Sequence, residues 1–154
     1  MSDTLQRLVA DFVRGFGLHD GEKTPCGKPI PVSEAHALSE LSGGEGVSQN
    51  ELARRLQLEK STVSRLVASM ERRGWLERRT DALDSRVRRL YLSPAGRWVA
   101  AEVEAARRAK FRRLADYLGS EEMQSVEAGL RSLLTALRKE KEASNDGMAE
   151  EDDE

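Results

Sequence analysis

The chain has 154 residues, of which 38% are hydrophobic and 34% charged, with a formal net charge of −2 and a single cysteine. This length and composition give one domain, with arms at most, and a core too small to cover all the apolar surface, so a partner chain is expected. With no run of about 18 apolar residues, no membrane span is expected, and the lone Cys26 excludes an internal disulfide framework and suits a reducing cytoplasm.

The first predicted element covers residues 2–17. Leu5, Leu8, Val9, Phe12, Val13 and Phe16 recur at spacings of three and four, which is the apolar stripe of an amphipathic helix. The N-terminus has no basic region followed by an apolar block, so a secretory leader is not expected. "GLHDGEKTPCGKPIP" follows, rich in glycine and proline, and reads as a loop. Ser33 is the expected cap of a second helix with Ala35, Leu38 and Leu41 inward, ending at Gly43 and Gly44.

"SQNE" at Ser48–Glu51 fits a capping box, in which the serine accepts from the Glu51 N–H and Glu51 reaches back to the Ser48 N–H. A short helix to about Leu56, a turn of Gln57, Leu58 and Glu59, and a helix from Lys60 or Ser61 to near Gly74 come next. Two helices crossing steeply over a three-residue turn need apolar contacts and one small residue at the crossing. Leu52, Leu56, Leu58, Val63 and Leu66 supply the first and Ala53 the second, as a helix-turn-helix requires. "WLERRT" and "VRRLYLS" are predicted strands joined by the hairpin loop "DALDSR".

Ser93 and Pro94 open a long helix to about Leu118, with Val99, Val103, Ala106, Leu114 and Leu118 on its apolar side. Ser120, Glu121 and Glu122 open the last helix, which carries Met123, Val126, Leu130, Leu133, Leu134 and Leu137. The predicted organisation is a mainly α (α+β) fold in a single domain over 1–142. A winged helix-turn-helix occupies 30–93, dimerisation helices occupy 1–18 and 94–142, and 143–154 is an acidic disordered tail.

The charge is segregated along this order. Residues 51–113 hold seventeen Lys/Arg against eight Asp/Glu, between a segment with four against seven and one with four against twelve. A basic middle attracts a polyanion through its local field whatever the total charge. A helix entering the major groove N-terminus first needs short polar residues at its start, and Ser61, Thr62 and Ser64 fit; one of Ser61 and Thr62 is also expected to cap it. Arg65, one turn on, can reach guanine O6 and N7 with two parallel hydrogen bonds. A hairpin loop that projects Arg86 suits the minor groove, with Asp84 holding the loop or orienting a neighbouring arginine by a charge-assisted bond. Arg78, Arg79, Arg88 and Arg89 alternate along the strands, so half should face DNA. The expected contacts are Gln49, Lys60, Ser61, Thr62, Ser64, Arg65, Arg72, Arg78, Asp84, Arg86 and Arg88. Helices with apolar stripes at both chain ends point to a homodimer.

The order of elements over roughly residues 5–140 resembles the MarR family of bacterial transcription regulators. "SQNELARRLQLEKSTVSRLVASMERRGWLERR", the Asp84-Ser85-Arg86 triplet and "LYLSPAGR" carry the resemblance. It implies a cytoplasmic winged helix-turn-helix dimer formed by the first and last helices. Such a dimer binds double-stranded DNA at a pseudo-palindromic operator, as a repressor, and a ligand or oxidant often weakens that binding. Ser61, Thr62, Ser64 and Arg65 would then lie in the major groove and Arg86 in the minor groove.

An effector pocket between dimer helices and winged module would be lined by Phe12, Phe16, His36 and Trp98, although plain core packing explains the same residues. Cys26, flanked by Lys23 and Lys28, is a candidate redox thiol, but Tyr91 and Tyr117 lie far from it in sequence, and an unreactive loop thiol is the alternative. Zinc at Cys26, His19, His36 and Glu34 would have irregular spacing, so no metal and no cofactor is expected. No catalytic motif is present, and an enzyme is disfavoured. The rival from another class is a winged-helix adaptor that binds protein, and it would need no hydroxyl-led helix beside a basic wing.

Overall fold

The computed structural model describes residues 2–149. In chain order it has α1 (Ser2–Phe16), α2 (Val32–Leu41), β1 (Val47–Ser48), α3 (Gln49–Leu56), α4 (Lys60–Arg72), β2 (Leu76–Thr80), β3 (Arg88–Leu92), α5 (Pro94–Ala115) and α6 (Ser120–Ala149). The chain forms two compact units that divide within α5, after Lys110.

The hydrophobic core belongs to the first unit and runs from Ile30 to Val103. Leu38 and Leu41 of α2, Leu52 of α3, Val63, Val67 and Met70 of α4, and Leu90 of β3 are its most enclosed large side chains. Each gains about 1.5–3 kcal/mol by leaving water, and this burial, more than the intrinsic propensity of such short helices, holds α2, α3 and α4. The sheet has the order β1-β3-β2 and is antiparallel throughout. β1, which the sequence did not announce, pairs Val47 with Leu90 and Ser48 with Arg89. Two residues are too few to show a period.

Local chemistry sets the boundaries. Ser48 Oγ accepts from the Glu51 N–H at 3.2 Å, so half of the expected capping box forms. The other half does not. The Glu51 carboxylate accepts instead from Arg54 and Arg55 on its own helix, and those bonds hold its carboxyl at about 2. Gln57 closes α3 in the left-handed conformation at φ 54°, with the Leu58 N–H donating to Ala53 O at 3.1 Å. α2 begins after Pro31, two residues before the expected cap at Ser33, because Pro31 supplies the extended entry and its carbonyl accepts from the Ala35 N–H.

α4 also departs from expectation. Its cap position is Glu59, with no side-chain cap bond, and Ser61 and Thr62 lie inside the first turn. At the start of α5, Ser93 Oγ accepts from the Gly96 N–H at 3.0 Å and donates to Gly74 O at 2.6 Å. Gly96 is pressed against the Trp75 backbone so closely that a Cβ there would lie 3.0 Å from the Trp75 carbonyl carbon and overlap its oxygen.

The second unit comprises the end of α5 and all of α6. α5 ends at Ala115 rather than near Leu118, where the Tyr117 and Leu118 N–H groups tighten the last turn. Gly119 donates its N–H to Glu122 at 2.8 Å, so the α6 cap falls one residue before the expected Ser120. α6 runs on to Ala149, so residues 143–149 are helical where an irregular tail was expected. Good helix formers at 138–143 and a Ser144 Oγ–Glu140 O bond carry the helix forward. The rest of the expected tail, 150–154, lies outside the described residues. Phe111, Leu114, Leu118, Val126, Leu130, Leu134 and Leu137 of this unit are all exposed.

Candidate nucleic-acid interface

α4 is two-sided. Val63, Leu66, Val67 and Met70 are buried, while Ser61, Ser64, Arg65 and Arg72 are exposed on the opposite side. At 3.6 residues per turn Ser61, Arg65 and Arg72 form one outward stripe, with Ser64 beside it. Lys60 is exposed at the first turn, and Thr62 is half-buried on the flank. Because no side chain caps this helix, its first N–H groups and the positive end of its dipole face outward.

The other end of α4 is fastened. Ser69 Oγ donates to the buried Glu34 of α2 at 2.7 Å, and Arg73 Nε lies 3.6 Å from the same carboxylate while its guanidinium sits 4.9 Å over the Trp75 ring. Arg78 of β2 grips Glu71 of α4 with two bonds of 2.6 and 3.2 Å and reaches Gln49 at 3.3 Å. Three elements are thereby locked behind the outward stripe. Arg78 and Gln49 act here as braces in addition to being expected contacts.

The hairpin sorts its arginines by parity. Opposed residues share a face, and the pairs are Leu76 with Leu92, Arg78 with Leu90 and Thr80 with Arg88. Arg78 and Arg88 therefore lie on the face that also packs the core, and Arg79 and Arg89 lie on the other. Arg79 is bonded to Glu77 and stacks on Tyr91 at 4.6 Å, and Arg89 pairs with Asp81 and donates to Gly46 O at 2.9 Å. Among the described residues Lys60, Arg65, Arg72, Arg86 and Arg88 have no ion pair or side-chain hydrogen bond. These five are among the residues expected to meet a polyanion.

Asp81 holds the loop, and sequence reasoning missed it. Its carboxylate accepts from Arg89 and from the N–H groups of Leu83 and Asp84 at 2.8 and 3.1 Å, which hold its carboxyl at about 2. Asp84 accepts from the Arg86 N–H at 3.0 Å, so it braces the loop as expected. The available signal was Asp81's place at the mouth of a hairpin loop, where a short carboxylate bonds backbone two residues on.

The residues expected at an effector pocket do not line the cleft between α2 and α5. Phe12 and Phe16 stack at 5.1 Å, Phe12 is 54% exposed and Trp98 is 67% exposed. That cleft, of ≈ 120 Å³, is lined by Ala35, Ser39, Ser42, Ala100, Val103, Glu104 and Arg107, with none of the four among them. His36 is faced by Arg107; partial burial and that charge lower its pKa against the pull of Glu40. Cys26 Sγ lies 3.0 Å from Thr24 Oγ1, and Lys28 pairs with Glu102 at 3.0 Å. Among the described residues no group of three or more His, Cys, Asp or Glu is placed to hold a metal, and no helix is long and apolar enough to cross a membrane.

The family model described as MarR family matches residues 28–87, which span α2 to the tip of the wing. Over those residues the winged helix-turn-helix is similar to the MarR family. Solved MarR-like structures share the fold. FabT of Streptococcus pneumoniae in complex with DNA is 21% identical, with a TM-score of 0.74 over 90% of this chain and 97% of that one. The MepR–DNA complex of Staphylococcus aureus is 24% identical, with a TM-score of 0.66 over 89% and 98%. A probable transcriptional regulator from Pseudomonas aeruginosa is 28% identical, with a TM-score of 0.60 over 88% and 92%. No curated protein matches the MarR module or the rest of the chain significantly in sequence.

Proposed function

We propose that this chain is a cytoplasmic, sequence-specific DNA-binding transcription regulator that acts as a homodimer on a pseudo-palindromic operator. One observation carries the reading: the outward stripe of α4, with its short hydroxyls, unpaired arginines and uncapped N-terminus. In the major groove Ser61 and Ser64 let the backbone approach, the first-turn N–H groups take a phosphate, and Arg65 reads guanine. Arg86 on the braced wing follows the minor groove, and Lys60, Arg72 and Arg88 meet the phosphates. The function is binding, with no catalytic step. Where its operator overlaps a promoter, such a dimer blocks polymerase and acts as a repressor. The DNA-bound FabT and MepR structures, which share this fold, support the reading.

Two-fold symmetry sets the recognition helices ~34 Å apart, or a multiple of it, so half-sites are spaced by whole turns. The test is an anisotropy titration of the full chain against a duplex selected from a random pool. With roughly six to ten phosphate contacts, affinity falls by about 10³–10⁵ between about 50 and 200 mM salt. A nearly flat salt dependence, with no enriched sequence, overturns the reading in favour of a protein-binding adaptor.

A further inference from the structure

Leu83 is 99% exposed, and it stands alone at the wing tip. The exposed apolar side chains of α1 and α6 lie in stripes that a second helix can cover, whereas no stripe runs through the wing. An isolated, fully exposed leucine on a loop is ordinary when the loop is slack. This loop is fastened: Asp81 accepts from the Leu83 and Asp84 N–H groups, Asp84 accepts from the Arg86 N–H, and the Asp81 N–H donates to Val87 O at 2.9 Å. The backbone that presents Leu83 is therefore set in advance. Its neighbours Ala82 and Ser85 are small, and the unpaired Arg86 follows three residues on.

An apolar tooth beside a free cation on a rigid, narrow projection suits one feature of duplex DNA. Apolar wedges enter the minor groove between base steps, partly unstack them and bend the duplex toward the major groove. Pyrimidine–purine steps open with least resistance, so a wedge reads sequence through deformability without a hydrogen bond. We propose that Leu83 is a minor-groove wedge. It enters at a pyrimidine–purine step next to the position held by Arg86, bends each half of the operator outward, and sets base preference there. This rests on the DNA-binding reading above.

The experiment uses the full chain and its selected duplex, with 2-aminopurine at the wing-contacted step and a donor–acceptor pair at the DNA ends. Wild-type protein should raise the 2-aminopurine emission and shorten the end-to-end distance. It should also lose about tenfold in affinity when the pyrimidine–purine step is replaced by a stiff A-tract step. Leu83→Ala should abolish the emission rise, reduce the bend and remove the step preference, while leaving the salt slope unchanged, since no charge is altered. Leu83→Met should restore much of the signal. If Leu83→Ala bends and unstacks the duplex as wild type does, the wedge is wrong and the DNA reading stands. If wild-type protein binds no duplex, the DNA reading fails, and the wedge with it.

Discussion

At the scale of the residue, the interface depends on which cations are left unpaired. Arg78, Arg79 and Arg89 are bonded to Glu71, Glu77 and Asp81, and the guanidinium groups of Arg65 and Arg86 have no partner among the described residues. The two free arginines should behave differently. Arg65→Ala removes a bidentate base contact, so affinity for the cognate duplex should fall by about 1–3 kcal/mol and base preference should relax at one position per half-site. Arg86→Ala should weaken all sequences more evenly and lower the salt slope by about 1. Competition titrations with single-substituted duplexes separate the two. If Arg65→Ala leaves both affinity and preference unchanged, its place in the major groove is wrong.

At the scale of the element, the wing and the start of α5 are held by features that can be broken singly. Asp81 has a folded pKa of about 2 against an ordinary value of 3.8. A depressed carboxylate contributes fully above its unfolded value and loses the contribution as pH falls through the folded one. The Leu83 and Asp84 amide resonances should therefore be unchanged from neutral pH to about 4 and shift with a midpoint well below 3.8. Asp81→Asn should abolish that titration. Gly96→Ala drives a methyl into the Trp75 carbonyl, where backbone meets backbone and neither yields, so denaturant unfolding should show a loss of about 1–3 kcal/mol.

The core of the module was legible for the same local reason. Leu52, Val63 and Leu66, expected where the two helices cross, are buried, and Leu56 and Leu58 are partly buried against them. The Glu51 reach-back and the capping of α4 by Ser61 or Thr62 were not legible, because arginines one turn away compete for the first and a helix start two or three residues earlier removes the second.

At the scale of the whole molecule, the exposed apolar faces decide. Four large apolar side chains on α1 and eight between Phe111 and Leu137 are exposed, most of them near half. Complete burial gains about 1.5–3 kcal/mol each, so covering a dozen half-exposed groups gains on the order of 10–20 kcal/mol. Association itself costs about 4–15 kcal/mol, a similar magnitude, so these faces are where we expect a second chain to pair. Leu130→Glu with Leu134→Glu should therefore yield a folded monomer in sedimentation equilibrium, with the core intact and affinity for the two-half-site duplex lost. Retention of the dimer would place the pairing surface elsewhere.

The sequence by itself determined the helix-turn-helix, the hairpin and the charge that separates them from the chain ends, because each is encoded in spacings of two to four residues. Only the tertiary structure decided which arginines are free, since pairing with Glu71 or Asp81 depends on strand parity and on neighbours brought together by folding. The same is true of Leu83: an apolar residue in a loop has no meaning in one dimension until the bonds of Asp81 and Asp84 fix the backbone that carries it.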